Sequence, residues 1–340
     1  MNILNLGVSV VIPCYNSSKR LRDTLFHLAR QKVPNNIKWE VIIVDNASTD
    51  DTAEIAHRLW YEFNTKTDFK VVKQPIQGLS AARRKGFESA HYEYIIFCDD
   101  DNWLQEDYVR LAYDIMESNQ EIGALGGRGV AECEIKPSEW FYDFQQYYAV
   151  GTQNEYSGDI TEKKGYVYGA GSVIRKSAWI NLMEKEFSFL LTGRKGTSLS
   201  SSEDSELCYA LRLLGYKIWY DERLTFKHFM TKKRLSWEYF LKLVSGANES
   251  AAINKAYRHA LSADGFTRDH PSRFFWIKES INTGKNILRN YWSIRRLKTE
   301  EREGHPALKN YYQQIGRLRG WLKIRSKFLE ILEKNRRIKT

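Results

Sequence analysis

The sequence predicts an α/β protein, with a mostly parallel central sheet flanked by helices and a helical, basic C-terminal extension. Three observations predict it. The first hundred residues alternate between short β-branched runs and segments with apolar residues at helical spacing, the pattern of parallel strands joined by right-handed crossovers. Polar clusters follow three of those runs directly, and in open parallel sheets ligands bind at the carboxyl ends of the strands. The chain of 340 residues carries a net charge of +10, yet residues 285–340 hold 16 Lys and Arg against five acidic residues, which leaves the body close to neutral.

Each element can be justified in order. Val8 to Ile12 is a β-branched run closed by Pro13, a buried strand. Ser17 or Ser18 is placed to cap a helix carrying Leu21, Leu25 and Leu28 on one face. Glu40 to Val44 is a second strand running into the polar turn Asp45 to Asp50, and a helix with Ile55, Leu59 and Phe63 follows. Phe69 to Lys73 reads as a third strand, Leu79 to Ala90 as a helix and Tyr94 to Cys98 as a fourth strand. Beyond residue 120 the pattern loosens. Trp140 to Tyr148 is dense in rings, and Gly165 to Ile174 reads as a strand with a glycine-rich middle. Glu203 to Leu214 reads as a helix stopped by Gly215, Lys217 to Tyr220 as a strand and Leu224 to Phe229 as another. From Lys232 onward the chain reads as helical and basic.

Composition excludes several classes. Apolar and charged fractions are ordinary, so the chain is neither fibrous nor disordered. No run approaches the roughly 20 apolar residues of a membrane-spanning helix, and the opening residues lack the pattern of a secretory leader. Cys14, Cys98, Cys133 and Cys208 are scattered, without zinc-site or redox-pair spacing. A reducing cytoplasm fits that usage.

Three clusters carry chemistry. Asp99-Asp100-Asp101 ends an apolar strand; carboxylates crowded there repel one another, and a hard cation relieves the repulsion while leaving positions for diphosphate oxygens. The same triplet also suits a solvated turn or a helix cap. Glu203-Asp204 opens a helix, where a carboxylate facing a cleft can take the proton of an attacking hydroxyl; acids also gather in first turns simply because of the helix dipole. Gln77-Gly78 precedes a helix of small residues bearing Arg83, which can meet a phosphate or merely form a basic face.

Taken together, these segments resemble the inverting nucleotide-sugar transferases of family 2, which have the Rossmann-like GT-A fold. The resemblance covers roughly residues 7–230. Val8 to Asn16 is similar to the family's first strand and nucleotide loop, Val41 to Asp50 to its second strand, and Gln77 to Gly86 to the segment whose arginine lies near the diphosphate. Asp99 to Asp101 resembles the metal-binding motif, Tyr168 to Arg175 the acceptor-side segment, and Glu203-Asp204 the pair containing the base. The resemblance implies a donor site formed by Pro13, Tyr15, Asn16, Asp45, Ser48, Gln77, Gly78, Arg83, Asp99 and Asp100. It implies Mn²⁺ or Mg²⁺ held by Asp99 and Asp101, with His228 where some relatives place a histidine. Acceptor contacts are expected at Gly169, Ala170 and Gly171, with Trp140 and its neighbouring rings as a stacking floor, and Asp204, beside Glu203, is the expected base. Two positions depart from the family pattern: Ser202 stands where glycine is frequent, and Arg84 where asparagine is frequent.

The implied organisation is a GT-A domain over residues 1–230, its nucleotide half about 1–120 and its acceptor half about 121–230, with a helical extension over 231–340. The implied partners are a nucleotide-sugar donor, with UDP-sugars favoured, and a glycan or lipid-linked glycan acceptor of a cell-surface polysaccharide. Trp321, Ile324, Phe328, Ile331 and Leu332 recur at helical spacing among lysines and arginines. Residues 285–340 therefore offer an anionic membrane surface on the inner face of the cell membrane a docking helix, or pack on the body or on a second copy in a homo-oligomer. A metal-dependent nucleotidyl or phosphoryl transferase is the alternative enzyme, against which the missing phosphate-loop motif counts. A nucleic-acid-binding role for the basic tail is not expected, since no recognition motif is visible.

Overall fold

The computed structural model describes residues 5–191, 193, 202–262 and 271–339. Strand β1 (Asn5–Cys14) is followed by α1 (Leu21–Ala29), β2 (Trp39–Asp45), α2 (Thr52–Glu62), β3 (Asp68–Lys73), α3 (Leu79–Ser89) and β4 (Tyr92–Phe97). β1 pairs in parallel with both β2 and β4, and β2 with β3, so the four strands deliver their carboxyl ends to one edge. Side chains alternate between two apolar layers. Val10, Ile12, Ile43 and Ile96 face one layer, while Val11, Ile42, Val44 and Phe97 face the other. Burial on both faces is why these strands read as unbroken apolar runs.

The second half extends the same sheet with mixed polarity. It comprises β5 (Asn102–Leu104), α4 (Tyr108–Ser118), β6 (Ile122–Cys133), α5 (Trp140–Phe144), β7 (Gly158–Asp159), β8 (Val173–Arg175), α6 (Lys176–Glu184), α7 (Glu203–Leu213) and β9 (Lys217–Met230). The strand order is β3-β2-β1-β4-β8-β6-β9-β5, with β7 added to β9. Three expectations are corrected here. Of the expected strand over 165–174 only Val173 and Ile174 are extended, as the start of β8, because its glycines form a loop beside the cleft. Lys217 to Tyr220 and Leu224 to Phe229 are one long strand, whose apolar run is interrupted by polar residues at Asp221–Arg223 while pairing to β6 resumes beyond them. Neither Ser17 nor Ser18 caps α1 through its side chain; the Ser17 hydroxyl is bonded to Asp100 instead.

Helices α8 (Trp237–Asn248), α9 (Ala251–Leu261), α10 (Phe275–Arg295), α11 (Pro306–Ile324) and α12 (Phe328–Lys339) complete the chain. They share the body's interior. Trp321, Ile324, Phe328, Ile331 and Leu332 are all buried, in the same apolar layer as α7, α9 and β4. The side of the tail that the sequence offered to a bilayer is therefore turned inward, because covering it with the body's own apolar surface removes it from water equally well. Among the described residues no helix is long and apolar enough to cross a membrane.

Candidate active site

The carboxyl ends of β1, β2 and β4 open onto one cleft of about 720 Å³, closed on the far side by the loop before β8, the start of α7, and helices α8, α9 and α11. Pro13 and Tyr15 line it after β1, and Gln77 and Gly78 line it ahead of α3. Gly78 has φ +142°, a backbone that L side chains rarely adopt, so glycine is needed for the turn into α3. Asn16, Asp45 and Ser48 do not line the cleft. They join the β1 and β2 loops: the Asn16 amide donates to Ser48 Oγ (3.1 Å), and the Ser48 amide donates to Asp45 Oδ1 (3.2 Å).

The acidic triplet splits three ways. All three aspartates line the cleft, and Asp100 and Asp101 hold arginine partners. Asp100 accepts from Ser17 Oγ and from Arg20 (2.5 Å); burial and the adjacent Asp101 push its pKa up, against the pull of Arg20. Asp101 pairs with Arg234 at 2.5 Å and lies 3.4 Å from His228 Nε2. The ring of His228 stands 2.7 Å from the Tyr148 carbonyl through Nδ1. A carbonyl only accepts, so Nδ1 carries the proton and Nε2 presents a lone pair, 3.1 Å from an Arg234 nitrogen.

Opposite the triplet, Arg83 and Glu203 form a buried ion pair at 3.1 Å. The guanidinium also lies over the Phe97 ring and fills the space beside Gly169, where a Cβ would come within 2.4 Å of it. The Gly169 amide donates to Asp204 Oδ2 (2.8 Å), and the Ser205 amide donates to Oδ1 (2.7 Å), so both oxygens are oriented by backbone. Asp204 and Ala170 line the cleft; Gly171, at φ +67°, stands behind it and accepts from the Tyr108 hydroxyl. Trp140 lies outside the cleft. It is buried against α8, with Nε1 donating to Glu303 at 3.0 Å, whereas Tyr147 and Tyr148 from the same ring-rich stretch do reach the cleft wall.

A profile described as glycosyl transferase family 2 matches residues 9–182, just over half of the chain. The chain belongs to glycosyl transferase family 2. Among curated relatives, it is 33% identical over 122 residues to the poly-beta-1,6-N-acetyl-D-glucosamine synthase of Staphylococcus epidermidis, a match covering 36% of this chain and 28% of that protein. It is 27% identical over 134 residues to the poly(ribitol-phosphate) beta-N-acetylglucosaminyltransferase TarS of Staphylococcus aureus, covering 38% and 23%. Both matches span under a third of the relative's length. The GT-A fold is shared with solved structures across almost the whole chain. Residues 1–349 of S. aureus TarS with UDP-GlcNAc superpose with a TM-score of 0.52 at 15% identity, covering 94% of this chain and 92% of that one. The mannosyltransferase PcManGT of Pyrobaculum calidifontis, with GDP-Man and Mn²⁺, gives 0.55 at 18% identity, covering 94% and 87%.

Several residues in the cleft of this family 2 chain, or directly behind its wall, escaped the sequence reading. Arg20 and the buried Asn46 line the cleft; Asn46 ties the β2 loop to the next one, donating to the Ile76 carbonyl (2.6 Å) and accepting from the Gly78 amide (2.8 Å). Arg234 sits in a basic run that sequence alone assigns to the tail. Lys164 lies 3.7 Å over the Tyr168 ring behind Asp204, and burial lowers its pKa to about 8. Asn248, Asn254, Arg258 and Arg317 reach the cleft from helices with no motif of their own.

Proposed function

We propose that this chain is an inverting glycosyltransferase that moves a sugar from a nucleotide-sugar donor onto an acceptor hydroxyl in cell-surface polysaccharide synthesis. The observation that carries the reading is one cleft in which the acidic triplet faces a carboxylate, Asp204, oriented by two backbone amides. The acceptor oxygen attacks the anomeric carbon as its proton passes to Asp204. The bond from that carbon to the diphosphate oxygen breaks on the opposite face, and its electron pair leaves with the nucleoside diphosphate; an α-linked donor gives a β-linked product. Glu203 is committed to Arg83, so its part is to hold α7 and the Gly169 loop in register. Arg20, at the cleft wall, adds positive charge near the leaving group. A UDP-sugar is favoured as donor by the two N-acetylglucosamine-handling relatives and the UDP-GlcNAc complex of TarS.

A divalent cation fits the residues present. Among the described residues no three His, Cys, Asp or Glu side chains gather as a ready-made site. Mn²⁺ or Mg²⁺ commonly needs only one or two protein ligands, with substrate phosphates and water completing the shell. Asp101 and the Nε2 lone pair of His228, beside Asp99, would hold it in exchange for Arg234. When bound, it stabilises negative charge on the departing diphosphate. The test follows UDP release and product formation. Asp204→Asn should retain donor affinity and lose transfer by about 100-fold or more, and chelator should weaken donor binding until Mn²⁺ is restored. Unchanged turnover removes Asp204 from the mechanism, chelator-insensitive binding removes the cation, and release of sugar 1-phosphate identifies a nucleotidyl transferase.

For membrane association we propose the outer face of α10. Ile281, Leu288 and Trp292 are 54%, 61% and 58% exposed, interleaved with Lys278, Lys285 and Arg289. The protein should sediment with phosphatidylglycerol vesicles and not with phosphatidylcholine vesicles, and Ile281→Asp with Trp292→Asp should abolish it. Equal binding to both vesicles, or none, rejects the surface.

A further inference from the structure

The cleft is larger than the chemistry above uses. Part of its far wall comes from α8, α9 and α11, beyond residues 9–182, through Asn248, Asn254, Arg258 and Arg317; Tyr147, Tyr166 and Tyr209 line the cleft beside them. Charge on this wall has the opposite sign to the triplet wall. The neighbouring cations on the same helices are paired, Lys255 with Glu279 (2.9 Å) and Arg319 with Glu249 (3.9 Å). Among the described residues no carboxylate stands within ion-pair distance of Arg258 or Arg317. Two polar atoms of this wall are buried without a hydrogen-bond partner: Nε of Arg317 and Oδ1 of Asn254. Buried donors and acceptors are normally satisfied; a wall whose own polar atoms are incompletely bonded, and which carries two cleft-lining arginines without a carboxylate partner, suits a polar ligand. The wall also lies at the correct end of the cleft. The Tyr166 hydroxyl feels both Asp204 and Arg258, and its ring stands 6.2 Å from that of Tyr209, which Arg258 adjoins.

We propose that this wall is the acceptor subsite and that it selects an acceptor bearing phosphate or carboxylate groups. Arg258 and Arg317 bind the anionic group, Asn254 and Asn248 take hydroxyls, and Tyr147 and Tyr166 lie along the sugar or polyol presented to Asp204. Arginine suits phosphate and carboxylate alike, through paired N–H donors in one plane. The proposal rests on the transferase reading for its chemistry, but the binding itself can be measured without turnover.

The test uses the full chain and three oligomers of equal length: ribitol phosphate, a glucuronate-containing oligosaccharide and neutral N-acetylglucosamine. With donor saturating, the wild type should prefer one charged oligomer, which distinguishes phosphate from carboxylate. Arg258→Gln with Arg317→Gln should cut the preference for charged over neutral acceptor by at least about tenfold, mainly through KM, and the two lysine substitutions should restore part of it. In parallel, each oligomer is titrated calorimetrically into protein saturated with UDP. The charged oligomer should bind in a salt-sensitive manner to the wild type and about tenfold more weakly to the double variant. A double variant of unchanged preference or affinity, or a wild type binding the neutral oligomer as tightly as both charged ones, overturns the subsite. Absence of transfer to any oligomer with binding intact overturns the transferase reading and leaves the subsite standing.

Discussion

At the scale of single residues, Ser202 connects sequence to site most directly. The family pattern favours glycine there, and the structure shows why: Ser202 has φ +89°, a left-handed conformation costly for a residue with a Cβ. The hydroxyl recovers little, donating at a long 3.4 Å to the Ala247 carbonyl. Ser202→Gly should therefore keep or raise the melting temperature, whereas Ser202→Val should cost about 1–2 kcal/mol. Thermal unfolding decides this, and a glycine variant melting lower would show that the hydroxyl outweighs the backbone strain. Residue-level legibility follows the same logic. Asp204 and Arg83 were visible because they stand in short motifs tied to one backbone geometry. Arg258 and Arg317 were not, because each is one basic residue among many on a helix, and only the fold aligns them on one wall.

At the scale of elements, α7 is held by a buried carboxylate that the chemistry does not use. Glu206 accepts from the amides of Leu190 and Leu191 and from the Tyr257 hydroxyl on α9, and burial pushes its pKa up to about 7. A raised carboxyl pKa means that the folded state keeps its proton where the unfolded chain has lost it. The contribution is complete below the ordinary glutamate range and fades as pH climbs towards about 7. Wild-type melting temperature should thus fall between pH 5 and 7.5, and Glu206→Gln should remove that component; an identical slope in the variant would separate Glu206 from the pH response. Strands β1 to β4 were legible because both faces are buried and the apolar runs are continuous. β9 was read as two pieces because polarity at Asp221–Arg223 looks like a loop, although pairing resumes at Thr225 and carries the strand onward to Met230.

At the scale of the whole molecule, the tail is where the sequence left two alternatives open. An amphipathic helix has the same pattern whether its apolar side meets lipid or protein, so sequence could not choose, and here the inward side belongs to the common core. Leu332, fully buried, tests that unity. Leu332→Ala should cost about 2–5 kcal/mol and lower one cooperative transition for the entire chain, monitored by both tryptophan fluorescence and far-ultraviolet dichroism. A body transition that stays in place would make residues 231–340 an independent unit. The shared core also bears on how the protein is born. Strands β1 to β4 leave the ribosome long before α11 and α12, so a nascent chain can assemble one bank of its cleft while the opposite bank is still untranslated. Until α12 emerges, the apolar seat for Phe328 and Leu332 stays open to water.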